Sequence, residues 1–249
     1  MVVMKFGGTS VADEAAIGRL MGIVARQRAI DMAAGESAPG PEVVVSALSG
    51  VTDRLLGVAA EAGAGDAEGA RHNLRDLRAR HMTVAGVVDD EALLAAARAD
   101  IDREFDELER VVAALGVLRE VSPRWLDTIA ATGEILSSRI VAAALAARGL
   151  SGAWVDARAA IVTDDEHTAA APEFAETTAA LEARVRPLLA ASQVPVLGGF
   201  VGATRTGVTT TLGRGGSDFS AAIVGSCLHA DEIQIWTDVD GVLTADPRV

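Results

Sequence analysis

The chain has 249 residues, half of them apolar, a formal net charge of −13 and one cysteine, Cys227. That length can bury the core of one α/β or bilobed domain, the apolar share excludes disorder, and a lone cysteine excludes an internal disulfide and fits a reducing cytoplasm. No cluster of lysine and arginine stands out and no apolar run approaches the ~18–20 residues of a membrane span, so neither nucleic acid nor a membrane is an expected partner.

Val2 to Phe6 reads as a short buried strand that runs into Gly7 and Gly8. Ile17, Leu20, Met21 and Val24 then follow the i, i+3, i+4, i+7 spacing of one helix face. "AAGESAPGPE" breaks that helix, and "EVVVSAL" is a second strand whose consecutive valines suit a parallel sheet covered on both faces. From Val51 to about Gly149 the pattern is helical, including an amphipathic stretch with acids in its first turn. "SPRWLDTIAATGEILSS" opens a further helix with a Ser cap and a first-turn proline. Gly133 sits inside it at about 1 kcal/mol relative to alanine, which points to a close approach or a kink. "AWVDA" and "VPVLGGF" read as strands, "ATRTGVTTTLGRGGSD" as a turn-rich stretch entering a helix with Ser217 at its N-cap, and "EIQIWTD" as a last strand. Alternating strands and helices predict a three-layer α/β sandwich on a mostly parallel sheet, with a helical insertion.

The functional signal lies in the segments just after the strands: "GGTS", "SGVTD", "GGFVGATRTG" and "TDVDG". In open α/β sheets ligands bind at the carboxyl ends of the strands, and Gly, Ser, Thr and Asp there present backbone amides. A phosphate-handling cleft is the leading expectation. Neither a Walker P-loop nor a dinucleotide fingerprint is present. Lys5 is equally consistent with a solvated strand end and with a cation facing an anion. Arg214, between glycines, has room for a bidentate carboxylate or phosphate pair. Asp218 suits the first turn of a helix or a base for a hydroxyl acceptor; Glu134 reads as a solvated helix position; Asp238 and Asp240 suit ribose, magnesium or a turn. His72, His81, His167 and His229 fall outside the glycine-rich strand ends and read as surface or helix-end residues. A carboxylate acceptor, already ionised near neutrality, would need no histidine base.

"KFGGTS", "TGE", "TTTLGRGGSD" and "WTDVDG", in that order along the chain, resemble the catalytic domain of aspartokinases, within the amino-acid kinase family. The long helical stretch before "TGE" resembles the lysine-sensitive and homoserine-dehydrogenase-fused branches. The resemblance implies the amino-acid kinase fold, an amino-acid-binding lobe over about 1–190 with its helical insertion at about 51–120, and the start of a nucleotide-binding lobe over about 191–249. It implies transfer of the ATP γ-phosphoryl to the β-carboxylate of L-aspartate with Mg2+, giving 4-phospho-L-aspartate and ADP, the entry to lysine, threonine and methionine synthesis. A sibling kinase with another carboxylate acceptor, or an inactive subunit that binds aspartate or nucleotide, stands as the alternative. A cytoplasmic homo-oligomer is expected of the full-length protein.

Carried over by residue, the resemblance has Lys5 neutralise the transferred phosphoryl and Asp218 hold Lys5 in place. Gly7 and Gly8 would bring backbone amides to it, supported by Thr9 and Ser10. Arg214 would clamp the α-carboxylate of aspartate, with Thr52, Glu134 and Ser217 completing that site, Glu134 facing the ammonium and Phe200 forming a wall. Thr237, Asp238 and Arg248 would contact ATP. Two departures stand out: Leu243 occupies a position where the family often has tyrosine, and nothing after "DPRV" resembles the family's "FGAKVLHP" segment or its ACT domains. The family domain is therefore expected to continue past Val249, leaving a sheet edge unpaired and half an ATP site.

Overall fold

The computed structural model describes residues 1–34 and 40–237. Strand β1 (Val2–Phe6) leads to helix α1 (Glu14–Ala34) and strand β2 (Glu42–Val45). The expected helical region resolves into α2 (Val51–Ala64), α3 (Ala67–Val84), α4 (Glu91–Leu118) and α5 (Pro123–Ala147). Then come β3 (Gly152–Val155), α6 (Ala157–Ala160), β4 (Val162–Thr163), α7 (Phe174–Arg184) and α8 (Arg186–Ala190). The described chain closes with β5 (Val194–Gly198), β6 (Val201–Thr204), β7 (Thr209–Thr211), α9 (Gly216–Cys227) and β8 (Glu232–Trp236).

Five strands form a wholly parallel sheet in the order β3-β5-β2-β1-β8. Side chains alternate across a strand, so one face carries Met4, Phe6, Val43, Val45 and Val196 and the other Val3, Val44, Val155 and Leu197. Ile17, Leu20 and Val24 of α1 and Leu136 and Ile140 of α5 cover the first face, and the helical insertion extends that core. Leu181 of α7 and Ala221 and Val224 of α9 cover the second. This is the expected three-layer sandwich, and it explains the uninterrupted valines of β2: neither face meets water.

The stretch "ATRTGVTTT" departs from its turn-rich reading. β6 and β7 pair antiparallel, and with β4 they make a second, three-stranded sheet beside the first. β-branched threonines at 209–211 favour the strand, with Thr210 and Thr211 buried. The start of α9 differs too. Gly215, at φ 77°, occupies the N-cap and the helix begins at Gly216, so Ser217 lies inside the first turn. A left-handed cap suits glycine where serine would be strained.

Helix α5 is the core helix. By length and composition alone it could cross a membrane, an exception to the expectation that no segment approaches that size, yet most of it is buried inside the fold. Gly133 serves a close approach rather than a kink: a Cβ there would sit 2.8 Å from the Ala47 Cβ and 3.1 Å from Val51 Cγ1. His81 also departs from expectation. It lies near the end of α3 but is fully buried, its Nδ1 2.7 Å from the Leu77 carbonyl and its ring edge-on to Phe105, and burial lowers its pKa to about 4.

Glu42, at the start of β2, is completely buried, and neither carboxyl oxygen has a hydrogen-bond partner among the described residues. Burial alone pushes its pKa well above the ordinary carboxylate range. Between the ordinary value and the raised one, the folded protein keeps a proton that the unfolded chain has lost, so stability declines as pH rises through that window. Glu42→Gln removes the ionisation. Thermal melts from pH 4 to 8 should show the variant gaining on the wild type as pH rises; parallel profiles would contradict the assignment.

Candidate active site

Because the five strands are parallel, their carboxyl ends share one edge, and β5, β2, β1 and β8 are consecutive neighbours there. The loops leaving those four strands line a cleft of about 870 Å3 that opens at that edge. Lys5, Gly7, Gly8 and Thr9 come from β1 and its following turn, Ser46–Gly50 from the end of β2, Phe200 from the end of β5, and Thr237 from the end of β8. Thr52 at the start of α2, Glu134 of α5, and Arg214, Ser217 and Asp218 at the start of α9 complete the expected set. Asp238 and Arg248, with Asp240 and Leu243, lie outside the described residues. Ser10 is not brought to the cleft lining; its N–H closes the turn onto the Gly7 carbonyl at 2.9 Å.

Lys5 is the next-to-last residue of β1 and is only 8% exposed, so it is not a solvated strand end. The strand alternation that points Val3 at α9 points Lys5 the same way, and its Nζ lies 2.7 Å from Asp218 Oδ1 in the first turn of that helix. The carboxylate is half exposed, which leaves the ammonium held from one side and open toward the cleft lumen it lines. Gly7 donates its N–H to the Trp236 carbonyl at 3.1 Å, so that amide is engaged in the sheet and is not offered to a ligand. The amides that remain at this end are those of Gly8 and Thr9, which open a 3-10 turn and have no intrahelical acceptor. At Gly8 a Cβ would lie 3.0 Å from the Ala47 carbonyl, which accounts for glycine there.

Also lining the cleft, Glu134 is 3% exposed rather than solvated. Its carboxyl accepts a backbone hydrogen bond from Ala47, while Oε2 has no partner among the described residues. Burial, opposed only in part by backbone hydrogen bonds, raises its pKa to about 8, so it holds its proton at neutral pH when no cation faces it. Arg214 stands opposite in chemistry: exposed, flanked by Gly213 and Gly215 at φ 74° and 77°, and without an ion pair among the described residues. Phe200 adopts φ 66°, a strain of about 1–3 kcal/mol for a non-glycine residue. Its N–H donates to Ser220 Oγ at 2.8 Å and its carbonyl accepts from Leu212 at 2.9 Å, ties that hold the ring against the start of α9.

Asp127 and Thr168 line the cleft without any sequence signal, and Thr211, inside "TTTLGRGGSD", had no role of its own assigned. Asp127 lies seven residues before Glu134 on the same face of α5, and it is 1% exposed. His167, read as a surface histidine, instead places Nδ1 2.6 Å from Asp127 Oδ2. A buried acid on a helix with its partners elsewhere in the chain has no local pattern to betray it. The spacing of two acids by two turns is the one hint.

The whole chain, residues 1–249, matches the Amino acid kinase family, and the protein belongs to that family. Across its full length it is 33% identical to the lysine-sensitive aspartokinase 3 of Escherichia coli (strain K12), of which it covers 51%. Its fold is similar to that of E. coli aspartokinase III in complex with lysine and aspartate, with a TM-score of 0.85 and 31% identity, over 100% of this chain and 52% of that one. Similarity to the complex of the same enzyme with aspartate and ADP is close behind, with a TM-score of 0.84 and 32% identity over 100% and 51% of the two chains. The chain thus spans about half the length of these relatives.

The electrostatics of Glu134 can be read without any ligand. Carbon-13 NMR of labelled glutamate carboxyls should show a Glu134 signal titrating near pH 8. That signal should vanish in Glu134→Gln, and a Glu134 midpoint near the ordinary value of about 4.3 would refute the burial argument.

Proposed function

We propose that this chain carries an aspartate kinase site, which transfers the γ-phosphoryl of ATP to the β-carboxylate of L-aspartate. The observation that carries the reading is that one cleft is lined by the Arg214 guanidinium, without an ion pair among the described residues, by the buried Glu134 carboxyl and by the tethered Lys5 ammonium. An α-amino acid presents a carboxylate and an ammonium, and Arg214 and Glu134 match them in sign. The E. coli relative whose structure holds aspartate and ADP supports the same pairing of ligands.

Arg214 would hold the α-carboxylate as a bidentate fork, with Ser217 and Thr52 as hydroxyl donors beside it. Glu134 would take the α-ammonium and lose its proton as the positive charge arrives, an exchange that favours zwitterions over simple dicarboxylates. Phe200 would wall the side chain so that the β-carboxylate points along the cleft toward Lys5. Phosphoryl transfer is largely positioning and charge stabilisation, and a carboxylate acceptor needs no general base.

The residues present fit a triphosphate: a cation held by one carboxylate, and first-turn amides at Gly8 and Thr9. ATP bound there would supply the γ-phosphoryl. Lys5 would offset the charge that builds on it, and Asp218 would keep the ammonium aimed. Thr237 would meet the nucleotide, with Asp238 and Arg248 assigned by family resemblance alone. Mg2+ would rest on the triphosphate and water, since among the described residues no group of three His, Cys, Asp or Glu could hold a metal ion. The division into an amino-acid lobe over about 1–190 and a nucleotide lobe beginning at about 191 belongs to the same reading, as do a cytoplasmic setting and a homo-oligomeric full-length protein.

The direct test combines magnesium-ATP with L-aspartate and traps the acyl phosphate with hydroxylamine; glutamate or acetylglutamate replacing aspartate as the better acceptor would shift the reading to a sibling kinase. Aspartate binding by calorimetry with no acyl phosphate formed would instead favour a binding subunit. Lys5→Ala should lower turnover by about 10²-fold or more, and Lys5→Arg should rescue poorly because a planar fork does not replace a compact ammonium. Arg214→Ala should raise the KM for aspartate well above any change in the KM for ATP. An Arg214 variant impaired mainly toward ATP would remove the clamp.

A further inference from the structure

Asp127 is an unusually occupied side chain. Its Oδ1 accepts from Thr211 Oγ1 at 2.6 Å and from the Thr168 N–H at 3.0 Å, and its Oδ2 accepts from His167 Nδ1 at 2.6 Å. These donors come from 40 to 84 residues away in sequence. The carboxylate therefore joins α5, the segment around Thr168, and the end of β7.

Each of those elements leads to the acceptor end of the cleft. α5 carries Glu134 two turns further along the same face, with Ala130 lining the cleft between them. Thr211 precedes Arg214 by three residues, through the left-handed Gly213. The Thr168 segment is zipped to that turn: Ala170 donates to the Thr211 carbonyl at 2.9 Å, and a Cβ on Gly213 would lie 3.2 Å from the Thr168 carbonyl. Thr168 itself is held at φ 71°, outside the usual range of a β-branched residue, with its N–H on Asp127. Arg214 makes no ion pair among the described residues, so its place is set by the turn that carries it.

We propose that Asp127 is a positioning residue for the acceptor site, fixing the Arg214 turn against the Glu134 helix through its hydrogen bonds to Thr211, Thr168 and His167. The inference rests on the aspartate kinase reading for its kinetic consequence and on the geometry alone for the tie. It assigns Asp127 no contact with substrate. Its lone pairs are already engaged by the three donors, and its effect passes through the spacing of the guanidinium and the buried carboxyl that grip the amino acid.

The hydrogen-bonded nature of the tie makes a specific variant informative. Asparagine at 127 keeps an oxygen for Thr168 and Thr211 and can donate its amide N–H to His167 once the imidazole presents a lone pair at Nδ1. Alanine keeps none of these. Asp127→Ala should raise the KM for aspartate by roughly 10- to 10²-fold while the KM for ATP moves less than about threefold, the pattern of a misplaced acceptor grip. Asp127→Asn should recover most of the loss. Thr211→Val, which removes one tie without changing shape, should raise the aspartate KM by less and speed amide exchange over residues 211–216. Equal shifts in both KM values, or an Asn variant as impaired as Ala, would overturn the proposal. Should Asp127→Ala fail to fold, Asp127→Asn and Thr211→Val decide by the same measurements. If the unmutated protein turns over no aspartate, the kinase reading fails, and exchange at 211–216 decides the tie alone: faster in Thr211→Val upholds it, unchanged refutes it.

Discussion

The cleft depends on a set of close approaches that only glycine permits. At Gly198 a Cβ would lie 2.9 Å from the Glu134 carbonyl, and at Gly199 it would lie 2.9 Å from the Ser217 Cα. The two glycines at the end of β5 thus let α5 press in from one face of the sheet and α9 from the other. Gly133 does the same from within α5, where it meets Ala47 at the end of β2. Any side chain at these positions would wedge the helices apart. Glu134 and Arg214 face one lumen because backbone, not side chain, fills the gaps between their carriers.

That packing also sets the electrostatics. Pressing α5 into the sheet's edge strips water from Glu134 and leaves one carboxyl oxygen unpartnered, the cause of its raised pKa. On the other face, the register of β1 sends Lys5 to α9, whose first turn supplies Asp218 where an acid also suits the helix dipole. In a protein of net charge −13, an anionic nucleotide or amino acid meets a repelling field at long range. For such a ligand, attraction would have to come from Lys5, Arg214 and backbone amides close at hand. A neutral Glu134 in the ligand-free cleft avoids adding to that repulsion.

The sequence showed β1, β2 and the glycine-rich strand ends because runs of valine and abrupt Gly-Ser-Thr breaks are local signals. The helical insertion showed for the same reason, through its 3.6-residue period. Positions decided by tertiary contact did not show. Glu134 looked solvated because its burial comes from Gly198, some sixty residues away. Lys5 was ambiguous because nothing near it in sequence names Asp218. The Thr209–Thr211 strand was masked by glycines on both sides, whose turn chemistry outweighed the β-branched residues between them. Gly7 is the subtler case: a glycine at a phosphate-like turn invites an amide role, but its N–H is spent on the neighbouring strand β8. Asp127 and His167 pair across 40 residues, and neither side chain carries a pattern that announces the other.

The groups that the aspartate kinase reading assigns to phosphoryl donor and acceptor are built differently, and the difference bears on how each would respond to ligand. The donor end rests on regular structure: a lysine inside a central strand and amides at the turn that comes after it. Those groups are fixed by the ladder of the parallel sheet and have little freedom to adjust. The acceptor end rests on side-chain ties between elements distant in sequence, with a strained Phe200, a left-handed Thr168 and glycines at both sides of Arg214. On the proposal for Asp127, its hydrogen bonds couple the Thr168 segment and the end of β7 to α5, which is itself anchored in the core. On the aspartate kinase reading, a ligand that meets Arg214 and Glu134 would act on the half built from side-chain ties, while Lys5 stays where the sheet holds it. On the same reading, binding energy from the amino acid would tighten the acceptor against a donor site already in place, the arrangement that in-line transfer requires.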